Sequence, residues 1–251
     1  NIPIQLGQHP FQVTGDFNMG RENPYFKIQL HTVQITYDKI KSMVPARIKN
    51  SLSIVNLDQP LNADAYITGP LRGGQPHILL KWEVRDTKMA TNFMDFENVY
   101  FTGSFNNEIS PGLPRRDPNS KITLQHFKAN WHGLPVAMQK IEIQNLLEPV
   151  LTADLNSSFT LSKLNSILEN NTFLLKDGEA DLSLNYHGPF KRDENTNSYI
   201  DGQVAIKNGN LVYEPRNVEM SNINALVLFK NTDLMVQNLE CKVKNTQLKM
   251  D

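Results

Sequence analysis

Most of the residue types that mark a chemical site are scarce in this 251-residue chain. It has one cysteine, Cys241, which excludes an internal disulfide and any multi-cysteine metal centre. Neither sign of charge is in excess: 25 Lys+Arg stand against 26 Asp+Glu, so there is no basic footprint for nucleic acid or anionic headgroups. No apolar run approaches the ~20 residues that a membrane-spanning helix requires. The chain opens on Asn1 rather than Met, so any signal or anchor is expected upstream. Hydrophobic residues make up 39% and the mean hydropathy is -0.41, lean for a two-layer core yet far from a disordered composition.

Catalytic signatures are equally sparse. Histidines stand at 9, 31, 77, 126, 132 and 187 without HExxH or other ligand spacing. His126 and His132 flank Trp131 and read as strand and turn positions rather than metal ligands. Asp193-Glu194 falls in the charged run KRDENTNS, a solvated loop rather than an acid–base pair. Leu71-Arg72-Gly73-Gly74 lacks the Lys-Ser/Thr of a phosphate loop and reads as a turn. No GxSxG occurs, and Cys241 sits in the apolar phase of its segment, which favours packing over nucleophilic chemistry. Trp82 and Trp131 share the apolar phase of their strands, so lining or core outranks sugar stacking. The sequons at Asn156 and Asn170 are short enough to arise by chance. The sequence therefore predicts no catalytic residues, no metal and no cofactor.

What the chain does contain is itself, twice. ADAYITGPLRG (63–73) returns as ADLSLNYHGPFKR (180–192), YDKIKSM (37–43) as LSKLNSI (161–167), and FENVYFTGSFNN (96–107) as MSNINALVLFKN (220–231). Lys39 and Lys163, Asn98 and Asn222, and Phe105 and Phe229 each stand 124 positions apart. Pro10 and Pro135 stand 125 apart, as do Asn23-Pro24 and Glu148-Pro149. A shared irregularity adds to this. In KITLQHFKANW the alternation Ile122, Leu124 slips phase to Phe127, Ala129, Trp131; in DLMVQNLECKV Leu234, Val236 slips to Leu239, Cys241, Val243. Both slips follow a glutamine, Gln125 and Gln237, and both require a β-bulge or break to keep one face apolar. Two tandem units are expected, over 1–130 and 131–251, continuous as one elongated sheet.

Each unit is mainly strand. Leu80, Trp82 and Val84 alternate with polar residues, as do Ala180, Leu182, Leu184 and Tyr186, and Val204 with Ile206. Gly69-Pro70, Gly188-Pro189, Asp177-Gly178 and Asn208-Gly209 punctuate them as turns. Each unit adds one short helix, with Thr36 and Thr160 as N-caps, core positions Ile40, Met43, Val44 and Leu164, Ile167, Leu168, and Pro45 as a stop. Such a helix could cover a strand edge. The segment 110–120, SPGLPRRDPNS, reads as an unpacked insertion. The expected fold is mainly β: a curved antiparallel sheet, or β-groove, of two tandem repeats, each with one short helix. A closed sandwich remains the alternative.

From Leu182 to Asp251 the order of turns and strands resembles the C-terminal region of AsmA-like proteins. The carriers are Gly188-Pro189, Val204 to Lys207, Asn208-Gly209, Leu211 to Val212, Pro215 with Val218, Ile223 to Phe229 and Leu234 to Met250. The family's closing glycine is absent, and the first unit has Asp86-Thr87 where the second has Asn-Gly. The resemblance implies a periplasmic body of a larger protein anchored in the inner membrane of Gram-negative bacteria. It implies a non-enzymatic β-groove that carries phospholipid acyl chains in outer-membrane biogenesis, with headgroups at the rim. The lining expected in the second unit is Leu182, Leu184, Val204, Ile206, Ala225, Val227, Leu239, Cys241 and Val243. Lipid is the expected partner, together with a membrane reached through segments elsewhere, and no nucleic acid. A structural or adhesive β-module with a closed core is the second reading; a glycan hydrolase, for which no catalytic pair is present, is the third.

Overall fold

The computed structural model describes residues 2–6, 9–20, 22–43, 49, 53, 55–91, 94–168, 172–190, 200–230 and 233–250. Val44, Pro45, Asn170, Asp193, Glu194 and Asn231 lie outside the described residues, as does the side chain of Leu168. The strands are β1 (Ile2–Leu6), β2 (His9–Asn18), β3 (Tyr25–Ile35), β4 (Val55–Leu57), β5 (Leu61–Pro70), β6 (His77–Thr91), β7 (Asp95–Asn106) and β8 (Lys121–Trp131). They continue as β9 (Leu134–Gln144), β10 (Val150–Thr160), β11 (Phe173–Pro189), β12 (Ile200–Tyr213), β13 (Val218–Lys230), β14 (Asp233–Val243) and β15 (Thr246–Met250). Two short helices join them, α1 (Tyr37–Met43) and α2 (Asn165–Leu168), the second preceded by a 3-10 turn over Leu161–Leu164.

All fifteen strands belong to one large open antiparallel sheet. Strand neighbours in the sheet are neighbours in sequence, except that β3 passes directly to β5 and β4 pairs with β6. Within this sheet the residues gather into two compact units. One comprises the chain up to Ala129 with Lys140–Leu151 and Pro189; the other comprises Asn130–Gln139, Thr152–Gly188 and the remaining C-terminal strands.

Period-two alternation explains the strands, but alternation alone does not run their full length. In the first unit Gln34, Asp86, Asn98 and His126 adopt left-handed backbone conformations, with φ of 56, 48, 52 and 55 degrees. In the second, Gly178, Asn208, Asn222 and Asn238 do the same, with φ of 104, 50, 50 and 52 degrees. The pairing registers of β3, β6, β7, β11, β12, β13 and β14 shift at these points. Each is a bulge, one extra residue that resets which side the following side chains take. Asn, Asp and His tolerate this conformation better than other L-residues because their short polar groups bond locally. The slip after Gln237 is thus the bulge at Asn238, and the slip after Gln125 coincides with the left-handed backbone of His126.

Bulging leaves a backbone N–H outside the ladder, and asparagines supply the acceptors. Asn62 Oδ1 accepts from Gln34 N at 3.1 Å, Asn224 Oδ1 from Asn208 N at 3.1 Å, and Asn210 Oδ1 from Asn222 N at 3.1 Å. Gly178 sits where two bulged strands nearly touch: a Cβ there would fall 2.4 Å from Gly209 Cα. Only glycine fits that approach.

The core follows the bulges. In the first unit Val84, Val99, Phe101 and Phe127 are buried, with Phe127 edge-on to Phe96 and stacked on Phe101. In the second, Leu134, Phe159, Leu161 and Ala180 form the buried cluster. Helix α1 is capped by Thr36, whose Oγ1 accepts from Lys39 N at 3.4 Å, whereas Thr160 stands at the cap position without a side-chain bond. Burial pushes the Tyr37 hydroxyl up to about 12.

The segment 110–120 differs from the expected unpacked insertion. Its tip is exposed, but Asn119 and Ser120 are buried. The Asn119 side chain accepts from Ser110 N at 2.8 Å and donates to Ser110 O at 3.1 Å. Ser120 Oγ donates to Arg116 O, Leu146 N to Asp117 O, and Arg115 reaches both Gln75 O and Glu108. Alternation-based reading missed this because the packing is polar. Asn119→Ala should lower stability by ~1–3 kcal/mol, since it strands buried partners, seen as a lower Tm in thermal unfolding.

A second bulge anchor is titratable. Asp58 Oδ1 accepts from Thr87 Oγ1 at 2.6 Å and Lys88 N at 2.7 Å, and these bonds hold its carboxyl below the usual carboxylate range. A depressed folded-state pKa means that this stabilisation is present above the unfolded-state value and is lost as pH falls through the folded one. Asp58→Asn should flatten that part of the acid limb in Tm against pH; an unchanged limb would count against the assignment.

Candidate functional site

Directly paired residues in an antiparallel sheet project to the same side. The pairs Leu182–Val204, Val204–Val227 and Val227–Val236 therefore draw one apolar row across β11, β12, β13 and β14. The next row is Ala180, Ile206 and Ala225; the one on the other side is Leu184, Gly202, Phe229 and Leu234. Past the bulges, Glu240 pairs with Asn224 on the opposite face, which returns Leu239, Cys241 and Val243 to the apolar one. Leu239 then pairs with Met250 and Cys241 with Leu248. All nine residues expected as lining share a face.

They do not share an environment. Leu182, Val204 and Ile206 pack against the buried cluster, together with Leu164 and Ile167 of the helical segment. Leu161 hangs directly over Gly209, where a Cβ would come within 2.9 Å of Leu161 Cδ1. The helix thus lies on the sheet face rather than guarding an edge, because its Leu161, Leu164 and Ile167 stripe needs apolar contact that a strand edge does not offer. Cys241 is buried at 3% exposure. Leu184, Ala225, Val227, Leu239 and Val243 are half-buried and lie outside the helix-packed cluster. Periodicity missed the three helical residues as partners of the face, and it omitted Val236, Phe229 and Met220, which continue its rows. The signal for Met220 and Val236 was the three-residue gap in alternation around Asn222 and Asn238, and for Phe229 the unbroken alternation from Ala225 and Val227.

The opposite face is not uniformly polar. In the second unit Leu226 and Leu228 stand there, paired with Ala205 and Gln203. In the first unit a polar row runs through His31, Asp64, Lys81 and Ser104, with His31 Nδ1 2.7 Å from Asp64 Oδ1. Glu83 bonds Arg85 at 2.7 Å, which holds its carboxyl below the usual range, and Lys81 lies over the Tyr66 ring. Asp64, Lys81, Glu83 and Ser104 line a shallow depression together with Trp82 and Thr123.

The isolated candidates of the sequence fall into structural positions. His126 takes a left-handed conformation within β8, and His132 does so in the β8–β9 turn. Trp131 packs against the second-unit cluster, and Trp82 lies across Gly103, where a Cβ would meet the indole at 2.1 Å. Gly73 and Gly74 turn with φ of 66 and 76 degrees. Among the described residues no group of three or more His, Cys, Asp and Glu could hold a metal ion, and no helix is long and apolar enough to cross a membrane. Comparison with family models, with curated proteins and with solved structures gives no match.

The covered and uncovered parts of the face should separate in unfolding experiments. Leu161→Ala removes a buried anchor and should cost ~2–5 kcal/mol, as large-to-small core changes do. Leu184→Ala, at a half-buried position, should cost clearly less in the same urea titration.

Proposed function

We propose that the chain is an AsmA-like, non-enzymatic module whose apolar sheet face takes phospholipid acyl chains. The observation that carries this reading is the row Leu182–Val204–Val227–Val236. It crosses four strands without a polar interruption and stays half-buried, so part of it remains reachable. An acyl chain laid along such a row gains roughly 0.8 kcal/mol per methylene removed from water, while its headgroup stays at the rim. In this reading the sheet curves into a groove, lies in the periplasm, belongs to a protein held at the inner membrane, and serves outer-membrane biogenesis.

The groove would be built of two tandem copies, and recurring hydrogen bonds support that. Thr32 Oγ1 donates to Pro10 O as Ser157 Oγ donates to Pro135 O. Ser42 Oγ donates to Lys39 O at 2.7 Å as Ser166 Oγ donates to Lys163 O at 3.0 Å. Leu71 N donates to Pro24 O and Phe190 N to Pro149 O, both at 2.8 Å. Left-handed Asn98 and Asn222 fall 124 positions apart in the matching strands.

The helix-covered cluster and the buried Cys241 favour a second reading, a structural or adhesive module in which this face is core. Val227→Glu distinguishes the two. An open groove tolerates the charge in folding, and binding of a fluorescent phospholipid drops at least ~tenfold, the loss of about 1.4 kcal/mol. A wild type without phospholipid affinity, together with a variant that fails to fold because an ion is buried unpaired, would sink the groove.

A further inference from the structure

The shallow depression on β5, β6, β7 and β8 lies wholly within the first unit and shares no residue with the acyl-chain row. Its volume is about 600 Å³, within the range of small-ligand sites. Register sets its parts in two rows. Asp64, Lys81 and Ser104 pair across three strands, and Asn62, Glu83 and Thr102 pair beside them. Thr123 and Gln125 extend the lining onto β8. Both rows face away from the buried pair Val84 and Phe101. Trp82 and Gly103, between the rows, direct their side positions to the core side, so their backbone forms floor. The hollow arises from side-chain length. Thr102, Ser104 and Thr123 are short, while Lys81 and Glu83 stand higher, with Tyr66 and Tyr100 next along β5 and β7.

The chemistry of the lining narrows what could occupy it. His31 Nδ1 holds Asp64 at 2.7 Å, and Arg85 at 2.7 Å and the Tyr100 hydroxyl at 3.4 Å hold Glu83, so both carboxylates are oriented. Two carboxylates repel an anion. Lys81 stands between them against a cation, its ammonium 5.9 Å from the Tyr66 ring centroid and without an ion-pair partner among the described residues. The hydroxyls of Thr102, Ser104 and the largely buried Thr123 make no side-chain hydrogen bond among the described residues, nor does the Gln125 amide. Hydroxyls and carboxamides both donate and accept, as the hydroxyls of a sugar do. An ionised carboxylate adds two acceptor oxygens, enough to take two neighbouring hydroxyls at once. We propose that this depression binds a neutral oligosaccharide laid across β5 to β8, with its hydroxyls on Asp64, Glu83, Ser104 and Gln125. Four strands at the usual spacing span about 14 Å, room for a short saccharide. The site is open and its bonds compete with water, so affinity is modest, ~1 mM or somewhat tighter.

Isothermal titration calorimetry of the 251-residue chain with cellohexaose, chitohexaose and maltohexaose tests this, with sodium citrate as the anionic comparison. At least one hexasaccharide should bind, with little change at high salt because no ligand charge is screened. Citrate should not bind. Glu83→Gln should weaken saccharide binding at least ~tenfold, as loss of a hydrogen bond to a charged group does. Gln125 is exposed and breaks no side-chain bond within the protein when removed, so Gln125→Ala should weaken binding several-fold at an unchanged Tm. If none of the three saccharides binds, or if citrate binds in their place, the proposal is overturned. Saccharide binding that both variants leave at the wild-type level overturns it as well, since the sugar would then sit elsewhere.

Discussion

The architecture depends on a backbone constraint: a residue in the left-handed region in each of eight strands, four in each compact unit. A strand alternates its faces strictly, and a long one that must keep a single face apolar has to reset whenever its sequence falls out of phase. Here Phe96 and Val99, Met220 and Ile223, and Val236 and Leu239 stay together only because Asn98, Asn222 and Asn238 lie between them. Without these resets, half of every long strand would turn its leucines and phenylalanines away from the helix and core. The asparagines that accept the freed N–H groups belong to the same device, since an unmet donor beneath a packed face would cancel part of what the burial contributes.

That device produces an apolar face of two characters. Near the bulges a short amphipathic segment lies across the sheet, and Leu161 enters the space left free by Gly209. Further along the strands the same rows run on beyond the helix-packed cluster, half-buried. Stability and any capacity to hold an apolar ligand would thus be drawn from one surface, divided by a helix of barely two turns. A sheet of this kind can acquire a binding face by leaving part of its core uncovered, without a pocket having to be designed.

The mainly β, antiparallel class was legible because alternation reports directly on backbone geometry, but Asp177-Gly178 and Asn208-Gly209, expected as turns, lie inside β11 and β12, where a left-handed residue makes a bulge instead of a hairpin. The bulge at Asn238 and the left-handed residue at His126 were legible too, through a slip in phase beside Gln237 and Gln125. The equivalent slips at Gln34, Asp86 and Asn98 were written in the same way, as three-residue gaps, yet short apolar runs hid them. The nine residues expected as lining share a face because parity places them on one side. Their division into covered and uncovered groups was not legible, since it depends on where Leu164 and Ile167 land in three dimensions. The packed segment ending in Asn119 and Ser120 was missed for a related reason. Its order comes from hydrogen bonds of polar side chains to carbonyls, which hydrophobic periodicity does not record.

The sheet order has a consequence for how such a chain becomes folded. With β4 as the sole detour among the described residues, each strand finds its partner in the strand just made or the next to be made. Sheets usually fold slowly because distant segments must meet before any contact offsets the loop entropy. Here the required encounters stay local along the chain, as in repeat proteins whose stability is carried between nearest neighbours. Growth by successive hairpins lets the polypeptide structure itself in the order of its synthesis, and it confines the vulnerable state at any moment to one growing edge.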